Sequence, residues 1–209
     1  MPSPSIWLYG PELRSHRPSF PWRHALTLAG LFAAQDAYHQ GHGRRVGAYA
    51  ERLGRRLGLP EAEIEILRLS GRLHDIGKIA FSRELLCNRR RRLSPAMLAE
   101  IRRHPLLGGE LLRAIEVADP VVDGVRFHHE RRDGSGYPYG LHGEEIPQTA
   151  AVIGLADCFD ALTTDRSYQK ARSIEEALAT LAAFSGRAFD SLLVEAFTQE
   201  IREHGPAAD

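Results

Sequence analysis

The residues of this chain best suited to chemistry lie at residues 74–78, where a histidine, an aspartate and a lysine share the sequence HDIGK. Apolar residues at helical spacing over residues 64–73 predict an amphipathic helix that ends at this run. At a helix end, adjacent His74 and Asp75 can direct their side chains to one ion, because neighbouring residues differ by about 100° around the axis. We expect Gly77 to take the left-handed turn that ends the helix. Taken alone, the pair also fits a helix cap and a surface ion pair.

Other residues along the chain could complete a metal site with this pair. They are His42, His104, His128, His129 and Asp157, each at or near a predicted helix end or on a helix face. Imidazole and carboxylate ligands without thiolate suit iron, manganese, nickel or zinc, and they argue against a structural zinc finger. Two ions about 3.5–4 Å apart would bind a phosphodiester and activate a hydroxide, with Asp75 placed to bridge them. Because only two ligands are anionic, the cluster would stay positive, which suits a phosphate substrate.

Bulk composition narrows the class of protein. The chain has 209 residues and a formal net charge of zero, which argues against a nucleic-acid polymer or a membrane as its main partner. Cys87 and Cys158 show no metal-finger spacing, so we expect no disulfide framework. The longest apolar stretch is too short to span a bilayer, and the N-terminus lacks the basic region of a signal peptide. These features predict a soluble cytoplasmic protein.

The order of sequence signals predicts an all-α protein with one main domain. Residues 1–21 are rich in proline and serine and predict an N-terminal arm or linker, followed by a domain over residues 22–209. Helix start signals recur, and no run of alternating strand residues is present; a helix that begins at Ser94 is expected to end near His104. Four arginines at residues 89–92 predict a solvated loop, with an anion or partner contact near the site as the alternative.

In its motifs the chain resembles the HD-GYP phosphodiesterases, a branch of the HD-domain phosphohydrolases. The resemblance rests on HDxGK at residues 74–78 and HHExxDGxGYP at residues 128–138, with matching order and spacing over about residues 36–197. It implies an HD-domain helical bundle that hydrolyses the second messenger cyclic di-GMP to pGpG and, in some members, to GMP. The alternatives are a phosphohydrolase acting on another cyclic dinucleotide or nucleotide, and a catalytically idle module that senses the dinucleotide or docks a partner.

The resemblance also implies roles for particular residues. It implies two divalent ions, iron or manganese first and nickel or zinc as alternatives, held by His42, His74, Asp75, His104, His128, His129 and Asp157. It implies that Lys78 contacts the scissile phosphate, that Asp160 orients a ligand or the bridging water, and that Arg166 binds a phosphate or a guanine edge. A surface arginine and a helix ion pair are the alternatives for Arg166 and Asp160. The remaining substrate contacts fall in a glycine-rich loop, the GYP loop of residues 133–138, at Asp133, Gly134, Gly136, Tyr137 and Pro138.

Three departures from the family pattern affect the expected reaction. Tyr38 stands where some members carry a glutamate for a third metal, so two ions and accumulation of pGpG are expected. Residues 88–93 lack the proline and glycine usual in that loop, and Gln169 stands where a lysine or arginine is common. No sensory domain is expected before Asp36, so regulation should come from a homodimer or from a separate chain, such as a diguanylate cyclase docked on the GYP loop.

Overall fold

The computed structural model describes residues 27, 41–82, 85, 93–165 and 170–207. Within these residues the chain is helical, and β-structure is confined to two isolated bridges. None of the described helices is long and apolar enough to cross a membrane. The predicted arm over residues 1–21 and the arginine run at 89–92 lie outside the described residues.

Eight α-helices lie within the described residues. They are α1 (His42–Arg56), α2 (Glu61–Leu73), α3 (Pro95–Ile101), α4 (His104–Ala114), α5 (Asp119–Phe127), α6 (Gln148–Thr163), α7 (Ile174–Ala183) and α8 (Ser191–His204). Two short 3-10 helices span Ile76–Ala80 and Gly143–Glu145. The all-α prediction is confirmed.

Local sequence signals explain where several of these helices begin and end. The Ser94 side chain accepts a hydrogen bond from the Met97 amide at 3.2 Å and so caps α3. The helix ends at Ile101, three residues before the predicted end near His104, and His104 begins α4. Pro105 accounts for the break, since a proline ring clashes with the carbonyl four residues earlier, here that of Ile101.

Two clusters of buried apolar side chains form the core. The larger joins α1, α6, α7 and α8 around three aromatic rings, and Tyr49 packs edge-to-face against Phe159 and Phe197 at centroid distances of 5.3 and 5.9 Å. The smaller joins α2, α4 and α5. The four apolar residues of α2 that the helical spacing singled out are buried, and the last of them, Leu73, is 1% exposed. The position of the HD pair is therefore fixed by a buried helix.

Glycines bring α1 and α2 into close contact. A Cβ atom on Gly71 would lie 2.6 Å from the Cα of Gly47, which is closer than real Cβ atoms approach. A Cβ on Gly43 would lie 3.0 Å from the carbonyl oxygen of Arg72. The two backbones therefore pack directly on each other, and the start of α1 lies beside the end of α2.

Gly77 has a different role from the one that the sequence predicted. It lies inside the 3-10 helix Ile76–Ala80 and is not among the glycines with positive φ. A Cβ there would lie 2.0 Å from the carbonyl oxygen of His104 and 2.6 Å from the amide nitrogen of Gly108. Glycine is required because the backbone of α4 approaches this closely. The contact brings the HD turn against the start of α4.

We predict that Gly77→Ala lowers the free energy of unfolding by about 1–3 kcal/mol, because its methyl group overlaps backbone atoms of α4 that cannot move without shifting His104. Urea unfolding followed by circular dichroism measures the change. Gly109→Ala in the same helix is the matched control, since its nearest neighbour is a side-chain atom of Arg126 at 3.4 Å. If both variants unfold at the same urea concentration, the close approach at Gly77 is not a constraint.

Candidate metal centre

The seven predicted ligands come together, and most of them lie at helix ends. His42 and His104 are the first residues of α1 and α4, and His74 and His128 immediately follow α2 and α5. Asp75, His129 and Asp157 complete the set. Imidazole nitrogens and carboxylate oxygens of these side chains lie within a few ångströms of one another, and they form two neighbouring groups.

One group of ligand atoms, called site A, contains His42, His74, Asp157 and one oxygen of Asp75. The Nε2 atoms of His42 and His74 are 3.2 Å apart, and His42 Nε2 is 3.3 Å from Asp157 Oδ1. His74 Nε2 is 3.4 Å from Asp75 Oδ2. Two atoms that each lie about 2.1 Å from one ion are about 3.0–3.5 Å apart. These spacings fit a single cation.

The second group, called site B, contains His104, His128, His129 and the other oxygen of Asp75. His104 Nε2 is 3.3 Å from His128 Nε2 and 3.3 Å from Asp75 Oδ1. One nitrogen from each of the three histidines lies within 4.8 Å of the others. Since Oδ2 of Asp75 faces site A and Oδ1 faces site B, this carboxylate is positioned to join two cations.

The hydrogen bonds of the histidines test whether a cation fits. In three of them Nδ1 lies near a backbone carbonyl three residues earlier, at 2.8 Å for His74 and 2.7 Å for His104 and His128. A carbonyl oxygen only accepts, so Nδ1 carries the proton and Nε2 of a neutral ring presents a lone pair. The Nε2 lone pairs of His104 and His128 then face each other in a buried site. A cation between them removes this repulsion, so the residues fit a metal.

Buried charge in the cluster is balanced locally. Burial opposes ionisation of Asp75, but the positive charge of Lys78 holds the pKa of this carboxyl well below its usual range. Burial also opposes a charge on His42, yet hydrogen bonds with Asp157 and Asp160 raise its pKa to about 9. A cation that binds at site A would therefore displace the proton from Nε2 of His42.

The site-B imidazoles behave in the opposite way. Burial, with the charges of the other imidazoles, holds the pKa of His128 well below its ordinary value. Burial also lowers the pKa of His129 to about 3. Both rings are therefore neutral at working pH, which is the form that binds a metal.

Lys78 and Asp160 flank the ligands on different sides. The Nζ atom of Lys78 is 2.5 Å from Asp75 Oδ2, and its side chain is 22% exposed, so it lies at the edge of site A. Asp160 is 1% exposed and accepts a hydrogen bond from His42 Nδ1 at 2.7 Å. Asp160 therefore contacts a predicted ligand, His42, directly.

The GYP loop reaches the site through one of its predicted residues. The Tyr137 ring stacks on His129, with centroids 4.6 Å apart and an interplanar angle of 27°. The guanidinium of Arg102, which the sequence did not single out, lies 5.6 Å from the Tyr137 ring centroid. Pro138 follows Tyr137 through a cis peptide bond.

The other predicted loop residues shape the loop itself. Asp133 is exposed, and its Oδ1 accepts a hydrogen bond from the Ser135 amide at 3.0 Å. Gly134 has a φ of 74°, which favours glycine. A Cβ on Gly136 would lie 2.3 Å from the Arg131 nitrogen. The role of these residues in substrate binding stays a prediction, and Arg166 lies outside the described residues.

Glu130, the glutamate of the HHE motif, anchors the residues that follow this loop. Its carboxylate is 4% exposed and accepts hydrogen bonds from the Tyr139 amide at 2.7 Å and the Leu141 amide at 3.0 Å. A buried glutamate next to two ligand histidines was the available sequence signal, but its partners are backbone amides that composition cannot identify.

One further group of acidic and histidine side chains is found among the described residues, at Glu200, Glu203 and His204 on α8. Arg52 donates to Glu200 at 2.9 Å, and Arg56 donates to Glu203 at 2.7 Å. These carboxylates are therefore already paired with cations.

Comparison with known proteins places these features in context. A family model described as an HD domain matches residues 18–193. Over 162 residues the chain is 42% identical to the cyclic di-GMP phosphodiesterase response regulator RpfG of Xanthomonas campestris pv. campestris, which covers 73% of this chain and 40% of that protein. Over 174 residues it is 35% identical to 3'3'-cGAMP-specific phosphodiesterase 2 of Vibrio cholerae, which covers 81% of this chain and 33% of that protein. The chain thus spans less than half of either relative.

A solved structure shows the same fold. The cyclic GMP-AMP specific phosphodiesterase of Vibrio cholerae superposes with a TM-score of 0.67 at 23% identity, over 87% of this chain and 48% of that one. At this identity the likeness shows the fold alone. It agrees with the helical bundle predicted from the motifs.

We predict that Asp75→Ala removes most of the bound metal, because the one carboxylate that faces both sites is lost. Metal per chain, measured by plasma mass spectrometry after loading with Mn²⁺ and desalting, should fall towards zero, while helical content stays close to that of the wild type. Asp123→Ala, on α5 and outside the cluster, is the control and should keep its metal. Full metal content in Asp75→Ala would exclude a carboxylate bridge.

Proposed function

The chain belongs to the HD domain family, and from that membership and the ligand cluster we propose that it is a metal-dependent phosphodiesterase that opens cyclic di-GMP to pGpG. The observation that carries the proposal is the carboxylate of Asp75, whose two oxygens face two separate groups of imidazoles. A relative 42% identical to this chain bears the name of a cyclic di-GMP phosphodiesterase. The proposed substrate is an intracellular messenger, so the proposed location is the cytoplasm.

The proposed cofactors are two divalent ions, iron or manganese first, with nickel or zinc as alternatives. Site A and site B each provide nitrogen and oxygen donors of the type these metals share. When bound, such ions supply Lewis-acid charge to phosphate oxygens and make a nucleophile available from water at neutral pH. The donor set contains no thiolate among the described ligands, which disfavours a purely structural zinc site.

Lys78 is proposed to stabilise the negative charge that grows on the phosphate. Its ammonium group lies against Asp75 Oδ2 and is partly exposed, so a phosphate that enters over site A would come within its reach. A positioned cation of this kind acts on charge that develops in the transition state. Asp75 is proposed to hold the two sites at a fixed separation, and Asp160 to fix the ring of His42.

The proposed substrate contacts lie on the GYP loop and next to it. Tyr137 stacks on a ligand histidine, and Arg102 lies over its ring, so an aromatic face and a cation adjoin site B. Purine bases stack on aromatic side chains, and arginine binds phosphate or the guanine edge. We also propose that a regulatory partner such as a diguanylate cyclase docks on the GYP loop, beside which Tyr139 is 51% exposed, and that the chain forms a homodimer.

A second candidate substrate is 3'3'-cGAMP. The observation that favours it is the 35% identity to a relative that is named as specific for that dinucleotide. Discrimination would fall on the base contacts and not on the metal sites, because both substrates present the same kind of phosphodiester.

A substrate panel tests the proposal. The Mn²⁺-loaded protein is incubated with equal concentrations of cyclic di-GMP, 3'3'-cGAMP and cyclic di-AMP, and products are separated by chromatography. Cyclic di-GMP should be opened fastest, and metal-depleted protein should be inactive. Faster opening of 3'3'-cGAMP would reassign the substrate, and metal-loaded protein that opens none of the three would favour a sensor or docking module.

We predict that Lys78→Met lowers kcat by about 10²–10³ while metal content is unchanged. The proposed role of Lys78 is to stabilise negative charge on the phosphate, and it is not a metal ligand. Turnover and metal per chain are measured on the same preparation. Arg68→Met, at a partly exposed cation on α2 paired with Glu65, is the control. A Lys78→Met protein that loses metal but turns over normally once loaded would assign the lysine to metal binding instead.

We also predict two ions per chain and accumulation of pGpG. Tyr38, which lies outside the described residues, stands where a glutamate would hold a third ion, and its phenol is neutral at working pH because its ordinary pKa is about 10. Mass spectrometry of anaerobically prepared protein counts the ions, and a time course follows the products. Three ions per chain, or GMP that forms without a pGpG lag, would contradict this prediction and point first to neighbouring His39.

A further inference from the structure

His42 differs from the other three histidines whose Nδ1 contacts are described above. In His74, His104 and His128 the Nδ1 atom faces a backbone carbonyl, which is neutral. In His42 it faces the carboxylate of Asp160, at 2.7 Å. An anionic partner makes the imidazole a stronger metal ligand and fixes its ring orientation. The strength of this ligand in site A therefore depends on the placement of Asp160.

Asp160 is in turn held by Arg45, a residue of α1 that the sequence did not single out. Arg45 Nε donates to Asp160 Oδ1 at 2.7 Å, and Nη2 donates to Oδ2 at 3.0 Å. Nη2 also lies 3.3 Å from the hydroxyl of Thr164 at the end of α6. Arg45 is 9% exposed, and Asp160 is 1% exposed. A buried, two-bond arginine–carboxylate pair is among the most geometrically specific contacts that proteins make.

This arrangement leaves one orientation for the carboxylate. Oδ2 accepts from His42, from Arg45 and, at 3.5 Å, from the Thr164 hydroxyl, while Oδ1 accepts from Arg45. Without the guanidinium, the buried carboxylate would lack its main counter-charge and could rotate away from the imidazole. Arg45 and His42 are three residues apart on α1, so both are presented by one helical turn.

Arg45 contacts Asp160, and Asp160 contacts His42, so these side chains are connected to site A. Neither Arg45 nor Asp160 shares a described hydrogen bond or ion pair with His104, His128 or His129. The histidines of site B for which an Nδ1 partner is described are anchored by carbonyls of their own local backbone.

We propose that Arg45 is a positioning residue that sets the metal affinity of site A separately from that of site B, by holding Asp160 on His42. The inference rests on the metal centre of the proposed function and not on the identity of the nucleotide. It makes site A the more easily emptied of the two sites when the pair is broken. Loss of a partner of this kind typically weakens metal binding by about 10–100-fold.

A Mn²⁺ titration of Arg45→Met tests the proposal without any nucleotide. Electron paramagnetic resonance separates free from bound Mn²⁺ and distinguishes a coupled pair of ions from a single one. The wild type should show two tight ions with the signal of a coupled pair. Arg45→Met should keep one tight ion, bind the second about 10–100-fold more weakly, and show a single-ion signal at low Mn²⁺. Arg45→Lys, which keeps the charge but not the two-bond geometry, should fall between them.

Arg52→Met is the matched control. Arg52 lies about two turns further along α1 and pairs with Glu200 at 2.9 Å, away from the ligands. This variant should bind both ions as the wild type does. Adding His42→Ala to Arg45→Met should leave the remaining tight ion unchanged, since both changes act on site A.

Three outcomes would overturn the proposal: two tight ions in Arg45→Met, equal weakening of both ions, or the same loss in Arg52→Met. If Arg45→Met fails to fold by circular dichroism, Asp160→Asn decides under the same criteria, because its amide keeps the size of the carboxylate and removes the charge. The titration uses no nucleotide, so it remains valid even if the wild type does not open cyclic di-GMP. The two proposals can therefore be refuted independently.

Discussion

The site depends on the carboxylate of Asp75, because this one buried group faces two sets of imidazole nitrogens. Its Oδ2 lies 3.4 Å from His74 Nε2, and its Oδ1 lies 3.3 Å from His104 Nε2. A buried carboxylate is costly unless cations surround it, and here Lys78 already occupies one side. The approach of the HD turn to α4 through Gly77 makes this geometry possible, so backbone packing and ligand placement are one constraint.

Helix ends supply both the ligands and the control of their protonation. The carbonyls of the last helical turn have no partner within the helix. At the ends of α2, α3 and α5 a histidine three residues after such a carbonyl donates Nδ1–H to it, as His74, His104 and His128 do. The same bond satisfies the carbonyl, fixes the tautomer and leaves the Nε2 lone pair directed into the ligand cluster. At His42, the first residue of α1, the Nδ1 atom faces the carboxylate of Asp160.

Sequence reasoning predicted the all-α fold, the family and the set of side chains that the structure brings together, because those depend on residue types and on short motifs. It could not predict contacts that depend on how separate helices pack. Gly77 looked like a helix terminator, but the carbonyl of His104 that demands a glycine lies on a helix 27 residues later in the chain. In the sequence, Arg45 and Glu130 look like ordinary charged residues. Their roles depend on partners that folding places beside them, Asp160 for Arg45 and two loop amides for Glu130.

The proposal that Asp75 joins two cations is tested most directly by anomalous diffraction from crystals of the Mn²⁺-loaded protein. Data collected on either side of the manganese absorption edge should give two peaks per chain. One should lie among His42, His74 and Asp157, and the other among the histidines of site B, with Asp75 between them. A single peak, or peaks that do not contact Asp75, would contradict the account.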